Sequence, residues 1–134
     1  MTDYFDLRLT ADELRPISML ALAHVGDAVY ELMVRSHLCC AGCLTARDLH
    51  RETVRFVAAP AQARGAERIL PLLTEEETAV FRRGRNAHVH GVPQHASVAE
   101  YHAATALEAL FGWLYLRGER ARLCELFATM MEEG

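Results

Sequence analysis

"LALAHVGDAVYEL", residues 20 to 32, decides the fold. Its apolar residues recur at helical spacing, yet its middle holds a glycine and an acid. Gly26 weakens a helix by about 1 kcal/mol relative to Ala. Asp27 sets a carboxylate beside Val25 and Val29. An apolar helix that carries both has a reason beyond its own stability. On a helix, Ala23, Tyr30 and Glu31 lie near Asp27. Ala23 is small and Gly26 has no side chain, so this face suits close approach by another helix.

A second stretch has the matching feature. In "YHAATALEALFGWLYL", residues 101 to 116, Glu108 interrupts an apolar helix and Gly112 lies one turn on along the same face. If the two helices pack through their small residues, Asp27 and Glu108 converge. Two converging carboxylates in an apolar wall need a compensating charge, and a divalent cation supplies it. Mg²⁺ takes a few carboxylates, several waters and substrate phosphate oxygens. It activates water and stabilises charge developing on a phosphodiester. Alternatively, Asp27 caps or pairs internally and Glu108 reaches solvent. Spacing alone leaves both readings open, because perturbed carboxylates mark sites only statistically.

The 134 residues suit a single compact domain, 1–134, and 51% hydrophobic content supplies a core. No run is long or apolar enough to span a bilayer. The opening "MTDYFDLRLT" has early acids and no apolar signal core, so the expected location is the cytoplasm. Cys39, Cys40, Cys43 and Cys124 form no regular framework and read as reduced thiols. A net charge of −4 argues against nucleic-acid binding by the whole surface but leaves room for a local basic patch. All 14 basic residues are Arg. Codon bias explains the missing Lys; where the Arg residues sit remains informative.

Four capping-box patterns punctuate the chain: "TADE" at 10–13, "TARD" at 45–48 with Asp in place of Glu, "TEEE" at 74–77 and "SVAE" at 97–100. Pro16 limits the first helix to about one turn. Pro60 can open a helix at its first position. Gly42 and Gly118 read as helix stops. Longer helices are expected near 17–39, 45–58, 60–70, 75–86, 98–117 and 119–131. Strand alternation is absent. "GRNAHVHGVPQHA", from Gly84 onward, reads as the one extended loop. The expected architecture is an all-α helical bundle.

"HVGDAVYELMVRSHL" resembles the signature helix of the ribonuclease III family, and "TALEALFGWLYL" its second catalytic helix. The order, the spacing and "FRRGRNAHVHGVPQHA" are more specifically similar to the short bacterial branch, Mini-ribonuclease III. "DLHRETVRFVAAPAQA" and "LTEEETAVFRRGRNA" share that likeness, so it covers most of residues 17–123. The chain leaves no room after this region for the double-stranded-RNA-binding domain of full-length relatives, which fits the short branch. The resemblance implies a ribonuclease III-type endonuclease domain: an Mg²⁺-dependent endoribonuclease on double-stranded RNA, acting as a homodimer. Its usual work is maturation of large-subunit ribosomal RNA precursor. Asp27 matches the Asp of the Gly-Asp-Ala motif and Glu108 the essential Glu of the second helix. They are the expected catalytic and metal-holding residues. Full-length relatives use two further acids, at positions that here are Ala23 and Thr105. Glu31, one turn from Asp27, could assist through a water, but reads first as structural or paired with an Arg.

Double-stranded RNA is read mainly by shape, phosphates and 2′-hydroxyls. The best candidate contact is "RRGRNAHVH", which holds Arg82, Arg83, Arg85, Asn86, His88 and His90 with no acid among them. Gly84 would let the backbone come close to phosphate. A solvated charge run is the usual reading of such a segment; the resemblance at "RGRNA" favours RNA contact. Arg47, Arg51 and Arg55 form a stripe that either extends the phosphate track or is a solvated face beside Asp48 and Glu52. Arg64 and Arg68 are weaker candidates. The apolar run "FGWLYL" reads as core before dimer contact. Cys40-x-x-Cys43 after His37 is thin evidence for zinc. His24 and His50 read as packing and hydrogen-bonding residues; His88, His90 and His95 could bind metal but lie in the loop. No Ser-His-Asp order or phosphate loop stands out. The competing class is a noncatalytic RNA-binding or ribosome-associated protein on the same fold. The retained acids favour the enzyme.

Overall fold

The computed structural model describes residues 1–87 and 97–132. Among them the chain forms seven α-helices and one 3-10 turn. They are α1 (Ala11–Leu14), α2 (Met19–Cys40), α3 (Ala46–Val57), α4 (Ala59–Ile69), the 3-10 turn Leu70–Leu72, α5 (Glu75–Arg85), α6 (Val98–Leu116) and α7 (Arg120–Met131). The described residues include no strand, and the expected bounds of the longer helices hold to within two residues. His88, His90 and His95 lie outside the described residues.

The caps explain the agreement. Thr10, Thr74 and Ser97 each accept from the backbone of the third helical residue, and Glu13, Glu77 and Glu100 reach back to complete the box. Thr45 accepts from Asp48 without the return bond. Ser18, not singled out in the sequence, caps α2 through the backbone of Ala21 at 3.1 Å. Pro60 is the second residue of α4, one place later than expected, because Ala58 both ends α3 and caps α4. Gly42 and Gly118 have φ of 103° and 80°, a region that side chains disfavour.

Helix α6 is the axis of the bundle. Helices α2, α4, α5 and α7 all pack on it. Leu107, Leu110, Phe111 and Leu114 are buried, as are Ala106 and Ala109, so its apolar character on all sides is that of a central helix. Full burial of such large side chains contributes roughly 1.5–3 kcal/mol each. "FGWLYL" is thus core: Trp113 and Tyr115 are half-buried, and the Arg117 guanidinium lies 4.2 Å from the centre of the Trp113 ring. His24 and His50, expected to pack, are exposed, because their positions on α2 and α3 face away from this core.

Glycines set two of the contacts on α6. A Cβ at Gly26 would lie 1.6 Å from the carbonyl oxygen of Glu108, and one at Gly112 would lie 2.0 Å from that of Leu22. The two helices therefore touch backbone to backbone. Gly84 plays a similar part on α5: a Cβ there would come 2.9 Å from the Cβ of Ala109. Gly84 is buried in packing, which corrects the expectation that it opens the backbone to phosphate.

An ion pair joins α5 to α7. The Arg122 guanidinium donates to both carboxylate oxygens of buried Glu77, at 2.9 and 2.8 Å, and to the carbonyl of Leu72 at 2.8 Å. Arg122 holds the Glu77 carboxyl below its usual range. Such bidentate geometry can offset desolvation of the two charges.

The Gly26 contact makes a prediction of sign. Ala is the better helix former by about 1 kcal/mol, so an uncrowded Gly26→Ala would stabilise the chain. Here the methyl group meets backbone, and the net loss is expected to be about 3 kcal/mol, at the upper end for overpacking. Chemical denaturation checks it; a Gly26→Ala chain as stable as the parent would refute the close approach.

Candidate active site

The backbone contact between α2 and α6 sets the site. Asp27 follows Gly26 on α2, and Glu108 supplies the carbonyl that Gly26 meets. Their carboxyl groups come together, and Asp27 is exposed while Glu108 is half-buried. Burial first, then the adjacent Asp27 carboxylate, push the Glu108 carboxyl up to about 8. The predicted convergence of the two acids is what the structure displays. Neither meets an arginine among the described residues.

Two further side chains frame Glu108. The Tyr30 hydroxyl donates to the carbonyl of Phe56 at 3.1 Å. Burial and then the Glu108 charge push its ionisation up to about 12, so it remains a neutral donor. Gln62, on α4, is 2% exposed. Its Nε2 donates to the carbonyl of Val57 at 2.9 Å and to Glu108 Oε2 at 3.4 Å. Gln62 was not among the residues singled out in the sequence. The available signal was a lone amide in the small apolar run "AAPAQA".

The remaining candidates separate clearly. Ala23 and Thr105 are buried beside the pair, and the Thr105 hydroxyl donates to the carbonyl of Tyr101 at 3.1 Å. Glu31 pairs with Arg35 at 2.6 Å, one of the roles expected for it. The described residues hold no cluster of three or more His, Cys, Asp or Glu placed to share a metal ion. Cys39, Cys40, Cys43 and Cys124 are all free thiols.

Arg82, Arg83 and Arg85 are exposed and form no ion pair among the described residues. They occupy the last turn of α5 rather than a loop, where cations also suit the helix dipole. Asn86 is the C-cap of α5. Arg83 and Asn86 line a hollow against Ser18 and Met19, at the start of α2. Asp27 lies about 12 Å further along that helix axis. On α3, Arg51 pairs with Asp48 and Arg55 with Glu52, at 3.0 and 3.2 Å. Those two thus have acidic partners on their own helix, and Arg47 forms no ion pair among the described residues.

A sequence profile described as Ribonuclease III domain matches residues 20–119 of the chain. That span begins in α2, ends beyond α6 and contains Asp27, Gln62 and Glu108. The chain belongs to the ribonuclease III family. It is 48% identical over 118 residues to a protein named Mini-ribonuclease 3 from Symbiobacterium thermophilum, covering 86% of this chain and 91% of that one. A Mini-ribonuclease 3 from Thermoanaerobacter is 43% identical, with 93% and 90% covered. These relatives place the chain in the Mini-ribonuclease III branch, and it is an endoribonuclease. A crystal structure of a protein from Fusobacterium nucleatum superposes with a TM-score of 0.82 at 29% identity, covering 90% of this chain and 98% of that one. Among the described residues, no helix is long and apolar enough to cross a membrane.

The raised Glu108 carboxyl has a consequence for stability. Between its ordinary value of 4.5 and about 8, the folded chain binds more protons than the unfolded one. Stability is therefore lost as pH rises through that window. Glu108→Gln cannot titrate. In chelator, its melting temperature is expected to exceed the parent's by a margin that grows by several degrees from about pH 5 to about pH 9. A constant margin would contradict the carboxylate pair.

Proposed function

We propose that the chain, acting as one nuclease domain over residues 1–134, cleaves double-stranded RNA with Mg²⁺ held by Asp27 and Glu108. The observation that carries this reading is the pair itself: two carboxyl groups pressed together with no arginine facing them among the described residues. Such an arrangement opposes its own ionisation, and a divalent cation relieves the repulsion. The donor set fits. Both side chains offer hard oxygen ligands, and a cation held by so few protein groups keeps several waters, as Mg²⁺ prefers. When bound, Mg²⁺ would activate water and neutralise charge on the phosphodiester. The products would carry 5′-phosphate and 3′-hydroxyl ends.

Arg82, Arg83, Arg85 and Asn86 would meet the RNA backbone. Arg side chains suit phosphate because their planar fork donates two parallel hydrogen bonds. A homodimer gives two equivalent sites, one for each strand of a duplex. The face proposed for the second copy is an apolar groove of about 530 Å³, lined by Phe5, His24, Val25, Leu32, Tyr115 and Leu123. Leu32 and Phe5 are 54% and 69% exposed there, an arrangement that favours burial against a like surface. The groove borders Asp27 along α2, so pairing through it would bring two sites near one another. The family resemblance further suggests the ends of large-subunit ribosomal RNA precursor as substrate and the cytoplasm as location.

Ala23 and Thr105 are neutral where full-length relatives carry acids, which leaves the metal to Asp27 and Glu108. Cleavage assays on duplex RNA test that role. Asp27→Asn and Glu108→Gln are each expected to slow cutting about a thousand-fold, the equivalent of ~4 kcal/mol of barrier. RNA affinity and the sedimentation of the dimer should match the parent's. Cutting at the parent rate by a folded Glu108→Gln chain would overturn the metal-holding role of Glu108.

The basic turn has its own test. Replacing Arg82, Arg83 and Arg85 with Ala should weaken binding and flatten the plot of log affinity against log salt by roughly 2–3 units of slope, because fewer counterions are released. The helix should persist, since all three side chains are exposed. An unchanged slope would remove this turn from the RNA contact.

A further inference from the structure

We propose that Gln62 is a positioning residue for the active site, holding the Glu108 carboxylate where it faces Asp27. The inference rests on the proposed roles of Asp27 and Glu108 and extends them to a residue on a third helix.

The amide orientation follows from its neighbours. Val57 O and Glu108 Oε2 are both acceptors, so the NH₂ end of Gln62 must face them. The shorter bond, 2.9 Å to Val57, fixes the plane of the amide. The longer one, 3.4 Å to Glu108, then has a set direction. The other end of the amide has no such use. Gln62 Oε1 is buried and has no hydrogen-bond partner among the described residues. A buried acceptor without a donor is costly, and an apolar side chain of the same length would fill this space without that cost. The donor end is what makes an amide worth keeping here.

The anchor is also specific. A helix leaves its last carbonyls without partners inside the helix. At the end of α3, Ala58 N takes the carbonyl of Val54, while those of Phe56 and Val57 accept from Tyr30 and Gln62. Consecutive carbonyls of one helix end thus tether the two side chains that flank Glu108. Tyr30 belongs to α2, Gln62 to α4 and Glu108 to α6, so four helices are tied at one carboxyl group. Carboxylates that ligate metal are generally held in this way by a second hydrogen bond.

Gln62→Met keeps the length of the side chain and removes the donor. Binding of Mn²⁺ without RNA, followed by electron paramagnetic resonance of the free ion, is expected to weaken about ten-fold. The Mg²⁺ concentration for half-maximal cleavage should rise by a similar factor. KM for duplex RNA should stay unchanged, and the metal-free melting temperature should not fall. A merely structural residue would lower the melting temperature and leave cation affinity alone. Gln62→Leu serves in the same measurements if the Met chain does not fold. Failure of both to fold would overturn the proposal, since the core rather than the carboxylate would then need the amide. Parent Mn²⁺ affinity in a folded variant would overturn it too. Glu108→Gln run in parallel separates the levels. If it loses Mn²⁺ while Gln62→Met keeps it, the site stands and Gln62 is excluded. If Glu108→Gln binds Mn²⁺ like the parent, the reading of the site falls first.

Discussion

The contact of Gly26 with the backbone of Glu108 is the constraint on which the molecule is built. It lets α2 and α6 approach more closely than side chains permit, and it is reciprocal, since Gly112 meets the backbone of Leu22. Each partner accepts a weaker helix in return for that approach. The packing and the chemistry have one origin here. The residue next to Gly26 is Asp27, and the carbonyl that Gly26 touches belongs to Glu108. Bringing the backbones together is what brings the acids together.

Two glutamates show how differently one fold can treat the same group. Glu77 lies deeper, at 5% exposure, yet Arg122 and the Thr74 cap hold its carboxyl below the ordinary range. Burial first, and then the neighbouring acid Asp27, raise the Glu108 carboxyl to about 8. At Glu77 the cation beside it outweighs the cost of burial; at Glu108 the neighbouring charge adds to that cost. The first glutamate closes the bundle. The second has no compensating cation among the described residues, which fits a site rather than a strut.

Much of this was legible in the sequence because it is local. Capping boxes span four residues, and the helix starts at Thr10, Thr74 and Ser97 followed from them. The glycine–acid combination was legible because both helices carry it, as neighbours in α2 and one turn apart in α6. Contacts that depend on tertiary geometry were not. Gln62 is an ordinary polar residue until α4 is docked on α6. The pairing of Glu77 with Arg122 spans 45 residues and has no local mark. Gly84 looked like backbone freedom beside basic residues, and proved to be space for Ala106 and Ala109. His24 and His50 were assigned to packing on residue type alone, which does not say which way a helix face turns.

A contact made of peptide groups has no rotamers to exchange. Leucines, methionines and phenylalanines elsewhere in the core can trade volume and settle into new arrangements. The Gly26–Gly112 crossing cannot, because it has no side chain to adjust. It acts as a hard stop that fixes the spacing of the two acids independently of how the surrounding interior is filled. The core of this chain is thus free to drift in sequence while the metric of its chemistry stays constant, and the tolerance ends at two hydrogen atoms.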